Sequence, residues 1–136
     1  MPCQYDISSD DFLISVYFEG DVTLRDVLGL IDRVDADPSF VDGMHEFNDM
    51  SRLDRLRLKS NEILGIADLT KSLYRRRNLP MRSAFWAPNR FFMSASLYCT
   101  AFSRLRGARI ATFRDRASAL KFLGLPEQVS QPPYLS

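Results

Sequence analysis

The sequence is poor in the residues that build metal, redox and disulfide sites. Its 136 residues contain one histidine and two cysteines, Cys3 and Cys99, which lie far apart and form no Cys-x-x-Cys unit. Zinc sites and disulfide frameworks need more ligands at closer and recurring spacings. We therefore expect no metal site, no cofactor and two buried thiols.

Long hydrophobic runs are missing as well. The longest apolar stretches span a few residues, and the opening MPCQYDISSDD has neither a basic nor an apolar signal segment. Membrane spans and secretory signals need both greater length and greater hydrophobicity. We therefore expect no transmembrane segment and a cytoplasmic location.

Common catalytic and phosphate-binding motifs do not occur. The sequence lacks G-x-G-x-x-G, G-x-x-x-x-G-K-[ST], G-x-S-x-G and H-E-x-x-H. His45 has no Cys or His neighbour at metal-ligand spacing, and Cys99 falls in the middle of a predicted helix. The sequence therefore favours a non-catalytic protein over an enzyme.

Charge is segregated along the chain, although the formal net charge is only +1. Residues 1–49 carry 12 acidic and 2 basic side chains, whereas residues 50–136 carry 5 acidic and 16 basic ones. In an interleaved α/β domain the two halves can neutralise each other across the surface. Alternatively, the molecule is bipolar and pairs with a second copy or an anionic partner.

Turn residues and hydrophobic periodicity divide the chain into nine elements. Strands are predicted at residues 4–7, 12–18, 44–50, 82–87 and 109–113. Helices are predicted at residues 23–36, 60–77, 90–106 and 115–124. The order β-β-α-β-α-β-α-β-α predicts one α/β domain over residues 1–125, with an opening hairpin and a mixed five-stranded sheet. A loose proline-containing tail follows at 126–136.

Three segments carry a family resemblance. They are Gly-Asp-Val-Thr at 20–23, Ala-Asp-Pro-Ser-Phe at 36–40 and the closing Phe-Arg-Asp…Phe-Leu-Gly-Leu at 113–125. With the order of elements, they resemble the SpoIIAA-like group of small bacterial STAS/SEC14-type proteins over residues 4–125. The resemblance implies a STAS-like fold and a non-enzymatic regulatory module similar to anti-sigma factor antagonists, acting as a homodimer or with a protein partner.

A second likeness concerns one serine. Phe-Asn-Asp-Met-Ser at 47–51 and Leu-Lys-Ser-Asn at 58–61 resemble the STAS pattern around a regulatory serine. The resemblance implies a phospho-acceptor or anion site at Ser60, with Ser51 and Asp49 as its companions. Chemically, Ser60 is also a good N-cap for the helix predicted at this point, and both interpretations stay open.

Aromatic residues around the fourth strand and the third helix form the alternative candidate site. They are Phe85, Trp86, Phe91, Phe92 and Tyr98. Aromatic residues at helical spacing are typical of a core, but the same cluster can line a pocket. Such a SEC14-like pocket would bind a small apolar or anionic molecule, a lipid or a nucleotide.

Basic residues concentrate at 51–59 and 75–77, which raises the possibility of nucleic-acid binding. Aromatic side chains do not interleave with these cations, as they do where single-stranded nucleic acids stack. We therefore expect no nucleic-acid partner.

Overall fold

The computed structural model describes residues 2–75, 81–104 and 107–127. In these ranges it has nine elements in the predicted order: β1 (Cys3–Ser8), β2 (Leu13–Thr23), α1 (Leu24–Ala36), β3 (His45–Arg57), α2 (Ser60–Tyr74), β4 (Met81–Trp86), α3 (Asn89–Phe102), β5 (Ala108–Phe113) and α4 (Arg116–Leu123). The predicted mixed α/β architecture is therefore confirmed. Most of the predicted tail, from residue 128, lies outside the described residues, as do the predicted helix ends at 76–77 and 105–106.

The five strands form one mixed sheet in the order β1-β2-β3-β4-β5. β1 runs antiparallel to β2, as the opening hairpin predicts, and the other neighbouring strands are parallel. Each parallel pair is joined through a helix, which is the connection that parallel strands require.

The sheet separates two apolar clusters, because successive side chains of a strand point to opposite faces. On one face α1, α2 and α3 pack over the larger cluster, which includes Val16, Met50 and Phe85. On the other face α4 packs Ala119, Leu120 and Leu123 over Leu13, Phe47 and Ala84.

Short-range capping contacts mark the start of α1 and both ends of α4, as the sequence predicts. Thr23 and Asp26 form a capping box at the start of α1, with Thr23 N–H donating to Asp26 Oδ2 at 2.9 Å. Asp115 caps α4 through the Ser118 N–H, at 2.8 Å, and Gly124 ends that helix at φ +76°. A left-handed φ of this kind is strained for any residue with a Cβ atom.

β3 is longer than the sequence indicates. The sequence predicts a strand that ends at residue 50, but β3 continues to Arg57, because residues 52–57 pair with residues 19–23 of β2. Two basic side chains in this extension pair with acidic residues across the ladder: Arg57 Nε lies 2.8 Å from Asp21 Oδ1, and Arg52 Nη2 lies 3.8 Å from Glu19 Oε1.

Candidate functional site

A cavity of about 150 Å³ lies between the sheet and the three helices of the larger cluster. β2, β3 and β4 form its floor, with Ile14, Val16, Met50 and Phe85. α1, α2 and α3 form its walls, with Leu30, Val34, Ile66, Leu73 and Ala95. Most of its lining is therefore apolar.

The small residues Ser94 and Ala95 of α3 face this space, where longer side chains would fill it. An engineered apolar cavity of roughly 150 Å³ in another protein stays dry and binds benzene. The cavity described here therefore has room for about one six-membered ring.

Two polar side chains of β3, Glu46 and Asn48, line the floor and share one hydroxyl group. Ser83 on the neighbouring strand β4 donates its Oγ–H to Glu46 Oε1 at 3.0 Å. Asn48 Nδ2 donates to Ser83 Oγ at 3.1 Å and to the Ala84 carbonyl at 3.4 Å. Ser83 is fully buried, so the hydrogen bonds through its hydroxyl fix the position of the Glu46 side chain on the sheet.

A second polar pair, Thr70 of α2 and Tyr98 of α3, lies on the helical wall. The Thr70 hydroxyl donates its only hydrogen to the backbone carbonyl of Ile66, and the two oxygen atoms are 2.9 Å apart. The 2.9 Å contact between Thr70 Oγ1 and the Tyr98 hydroxyl is therefore donated by Tyr98. Burial raises the pKa of Tyr98 far above its ordinary value and the charge of Glu46 raises it further, so the phenol stays neutral.

The formally charged residues that line the cavity are both acidic. Glu46 lies on the floor, and Asp35, an exposed residue of α1, lies at the rim. Among the described residues that line the cavity, none is Lys, Arg or His.

The structure brings two of the five predicted aromatic pocket residues, Phe85 and Tyr98, to the cavity. Phe91 is buried in the same cluster but outside the lining. The ring of Phe92 lies under the Arg114 guanidinium, whose Cζ atom is 3.9 Å from the ring centroid. Trp86 packs against the α4 cluster, because it follows Phe85 in a strand and so faces the other side of the sheet.

The polar half of the site is not apparent in the sequence. Glu46 and Asn48 are two positions apart in β3 and therefore share the face of the sheet that also carries Met50. That two-residue spacing is the one signal that the strand predicted at 44–50 offers. Thr70 left no comparable signal, because a threonine within an amphipathic helix is common.

The three residues of the predicted anion site do not come together. Asp49 is 2% exposed and accepts hydrogen bonds from Ser51 N and Ser51 Oγ, at 2.8 and 2.6 Å. From Ser51 the extended strand continues to Arg57, a span of about 20 Å at the usual rise per residue. Ser60 therefore lies well away from Asp49 and Ser51.

Ser60 is the first residue of α2 and is exposed. The N-cap interpretation of Ser60 is wrong by one residue, because Lys59 has the extended backbone of an N-cap. Glu62 Oε1 accepts the Lys59 N–H at 2.8 Å and thereby satisfies a donor at this helix end. A carboxylate thus already lies beside Ser60 at the helix N-terminus.

The surroundings of His45 and of the two cysteines are those of structural residues. His45 Nδ1 accepts the Arg82 N–H at 2.8 Å, and burial followed by the Arg82 charge lowers the His45 pKa from 6.5. Cys3 and Cys99 are buried free thiols, and burial raises the pKa of each to about 11.

In the described part of the chain, no group of three His, Cys, Asp or Glu residues is arranged to hold a metal ion. No helix within these same residues is long and apolar enough to span a membrane.

Comparison with known proteins bears on the fold. The chain is similar to the crystal structure of an uncharacterized DUF3478-family protein with a SpoIIAA-like fold from Shewanella loihica PV-4. The two share 18% sequence identity over 89% of this chain and 91% of that one, with a TM-score of 0.54. Neither a protein-family model nor a curated protein matches the sequence. The likeness shows a SpoIIAA-like fold, which is the fold predicted from the sequence.

Proposed function

We propose that this SpoIIAA-like domain is a non-catalytic binding protein whose central cavity holds a small apolar molecule. The cavity of about 150 Å³ between the sheet and α1, α2 and α3 carries the proposal. Ligand sites are typically concave, mostly apolar and furnished with a few placed polar groups, and this cavity combines those features. The buried thiols Cys3 and Cys99 are compatible with action in the reducing cytoplasm.

The gain in binding comes from apolar surface withdrawn from water. Each buried square ångström of apolar area contributes roughly 25 cal/mol, so a ring packed against this apolar lining gains a few kcal/mol. A ligand that binds only the folded state also stabilises it, by about 2.7 kcal/mol at a concentration of 100 times its Kd.

The test is a titration with toluene, followed by amide chemical shifts and by thermal unfolding. We expect shifts confined to residues around the cavity and a rise in Tm with toluene concentration. Ala95→Leu fills the cavity and should abolish both effects. Ala101→Leu is the matched control, because Ala101 is buried in the same helix but outside the lining. Equal binding by the wild type and Ala95→Leu would contradict the proposal.

A regulatory protein-interaction module is the second candidate. The SpoIIAA-like fold and the exposed position of Ser60 in the first turn of α2 favour it. A phosphate at this position would meet backbone N–H groups at the positive end of the helix dipole. The neighbouring Glu62 carboxylate opposes a second negative charge there, so this candidate ranks below ligand binding.

The second candidate, with the homodimer or protein partner that belongs to it, is tested by comparing Ser60→Asp and Ser60→Ala. Light scattering reports the mass of each variant, and affinity capture from a bacterial lysate reports partners. A regulatory serine predicts that Ser60→Asp alone alters mass or capture. Identical behaviour of wild type and both variants would argue against it.

A further inference from the structure

We infer that the outer edge of β5 binds an extended acidic segment of another protein, which joins the sheet as an added strand. This interaction goes beyond the proposed function and is independent of it, because no residue of β5 lines the cavity. Two features of the molecule point to it: the charge around β5 and the backbone groups that the strand presents at its open side.

The charge segregation of the sequence becomes a polarity of the folded molecule. The strands lie in the sheet in the order in which they follow one another in the chain, so the acidic and basic halves do not interleave. β1 lies at the acidic end of the sheet and β5 at the basic end. Residues 69–114, which include β4, α3 and β5, contain no Asp or Glu and ten Lys or Arg. This end of the molecule therefore attracts an anionic partner.

Exposed arginines stand before, within and after β5, at Arg104, Arg109 and Arg114. Arg114 Nε donates to Asn89 Oδ1 at 2.7 Å, which is a neutral partner. Within the described residues, no ion pair joins any of the three arginines to a carboxylate. The next acidic residue of the chain, Asp115, is the N-cap of α4. Carboxylates of an added strand would thus meet cations along the length of β5.

The second feature is the direction of the β5 backbone groups. Phe113 O accepts the Ala87 N–H at 2.9 Å, so the N–H and C=O of Phe113 face β4. The backbone groups of successive residues in a strand alternate between its two sides, and those of Ile110 and Thr112 therefore face away from β4. In the described ranges no strand pairs with this outer side, and the pairing with β4 has no register shift. Such a regular edge is a template for a further strand.

A second copy of this chain does not suit the edge. Pairing β5 with the β5 of another copy would bring two sets of arginines together, and like charges across a strand pair are destabilising. The acidic end offers β1, but its edge is closed at Cys3, whose carbonyl accepts from Arg33 Nη2 at 3.0 Å. Cations on an edge strand thus discourage self-pairing and leave pairing with an acidic strand favourable.

Two capped seven-residue peptides test the inference, one of alternating valine and glutamate and the other of alternating valine and lysine. Each is added to the full chain at pH 7 and low salt, and amide hydrogen exchange is followed by NMR. In the free chain we expect rapid exchange at Ile110 and Thr112. The glutamate peptide should slow exchange of both amides at least tenfold, and the lysine peptide should leave it unchanged. Equal effects of the two peptides, or no effect of either, would overturn the inference.

Other occupants of the edge give different results. Slow exchange at Ile110 and Thr112 before any peptide is added would show that the edge is already covered and would overturn the inference. Light scattering would then show whether a second copy covers it. A twelve-nucleotide oligothymidylate competes for the cations alone, since it cannot pair with backbone N–H and C=O groups as a strand does. Tighter binding of the oligonucleotide than of the glutamate peptide would assign the cations to nucleic acid and also overturn the inference.

A pair of variants at Thr112 tests the backbone contact. Thr112→Pro removes an outward N–H and leaves the bonds to β4 in place. Thr112→Val keeps that N–H and, like the proline variant, loses the hydroxyl contact with Cys99 Sγ. The proline variant should bind the glutamate peptide at least tenfold more weakly than the wild type, and the valine variant within twofold of it. Equal Kd values for the two variants would overturn strand addition.

Arg109→Glu tests the charge, and it does so even if the proline variant does not fold. It should weaken binding of the glutamate peptide at least fivefold and strengthen binding of the lysine peptide. Arg25→Glu makes the same change at an exposed position of α1, at the acidic end of the molecule, and should leave both Kd values within twofold. Equal effects of the two charge reversals would overturn the selection of an acidic partner by this edge.

Discussion

Ser83 Oγ donates a hydrogen bond to Glu46 Oε1 across the β3–β4 pair at 3.0 Å, and Ser83 is fully buried. Ser83→Ala should therefore deprive both Glu46 and Asn48 of a partner. Leaving buried polar groups unsatisfied costs about 1–3 kcal/mol of unfolding free energy. Urea denaturation measures the loss. Ser72→Ala, on the exposed side of α2, is the control and should change stability little.

The capping box of α1 predicts a smaller loss. Thr23→Ala removes the side chain that accepts from Asp26 N at 3.3 Å, which should lower the free energy of unfolding by about 1 kcal/mol. Thr100→Ala makes the same change at an exposed position within α3 and serves as the reference. Equal effects of the two substitutions in urea denaturation would contradict the assigned cap.

The cluster under α4 predicts the largest loss. Leu120 is fully buried, and truncation of a buried leucine to alanine typically costs 2–5 kcal/mol. Leu64 in α2 is 41% exposed, so the same truncation there should cost much less. Chemical denaturation of Leu120→Ala and Leu64→Ala measures the difference, and similar values would place Leu120 outside a packed core.

His45 predicts a pH dependence of stability. Its pKa is lowered from 6.5 in the folded state, so the unfolded chain binds more protons as the pH falls below 6.5. The contribution of His45 to the free energy of unfolding is therefore complete above pH 6.5. It is lost as the pH falls from 6.5 to the pKa of His45 in the folded state. His45→Gln keeps an acceptor without titrating. The stability difference between wild type and His45→Gln should shrink as the pH falls from 7.5 to 5, and a constant difference would refute this assignment.

The two thiols predict slow chemical modification. Cys3 and Cys99 are buried, and burial raises the pKa of each to about 11, so little thiolate is present at pH 8. A disulfide reagent should therefore react slowly with the native protein and rapidly with both thiols in denaturant. Rapid native reaction would mean that at least one thiol is accessible.

Features that depend on neighbouring residues were predictable from the sequence. The cap at Thr23 with Asp26, the cap at Asp115 and the end of α4 at Gly124 each rest on contacts within one helical turn. The order of strands and helices follows from periodicity, which is also local. The extension of β3 was missed because it depends on pairing with β2, whose Asp21 lies 36 residues before Arg57.

The sequence by itself determined the succession of elements, because hydrophobic period, caps and turns act over a few residues. The SpoIIAA-like fold was implied by the resemblance of three segments to that family, and the structural comparison agrees with it. Only the tertiary structure decided the site. Glu46, Thr70, Phe85 and Tyr98 belong to four different elements and meet because three helices pack on one face of the sheet. Phe85 and Trp86, which are adjacent in sequence, lie on opposite faces of the sheet because successive side chains of a strand alternate, and only Phe85 therefore faces the cavity. A cavity is space that packed elements leave between them, so its position and its lining depend on contacts distant in sequence.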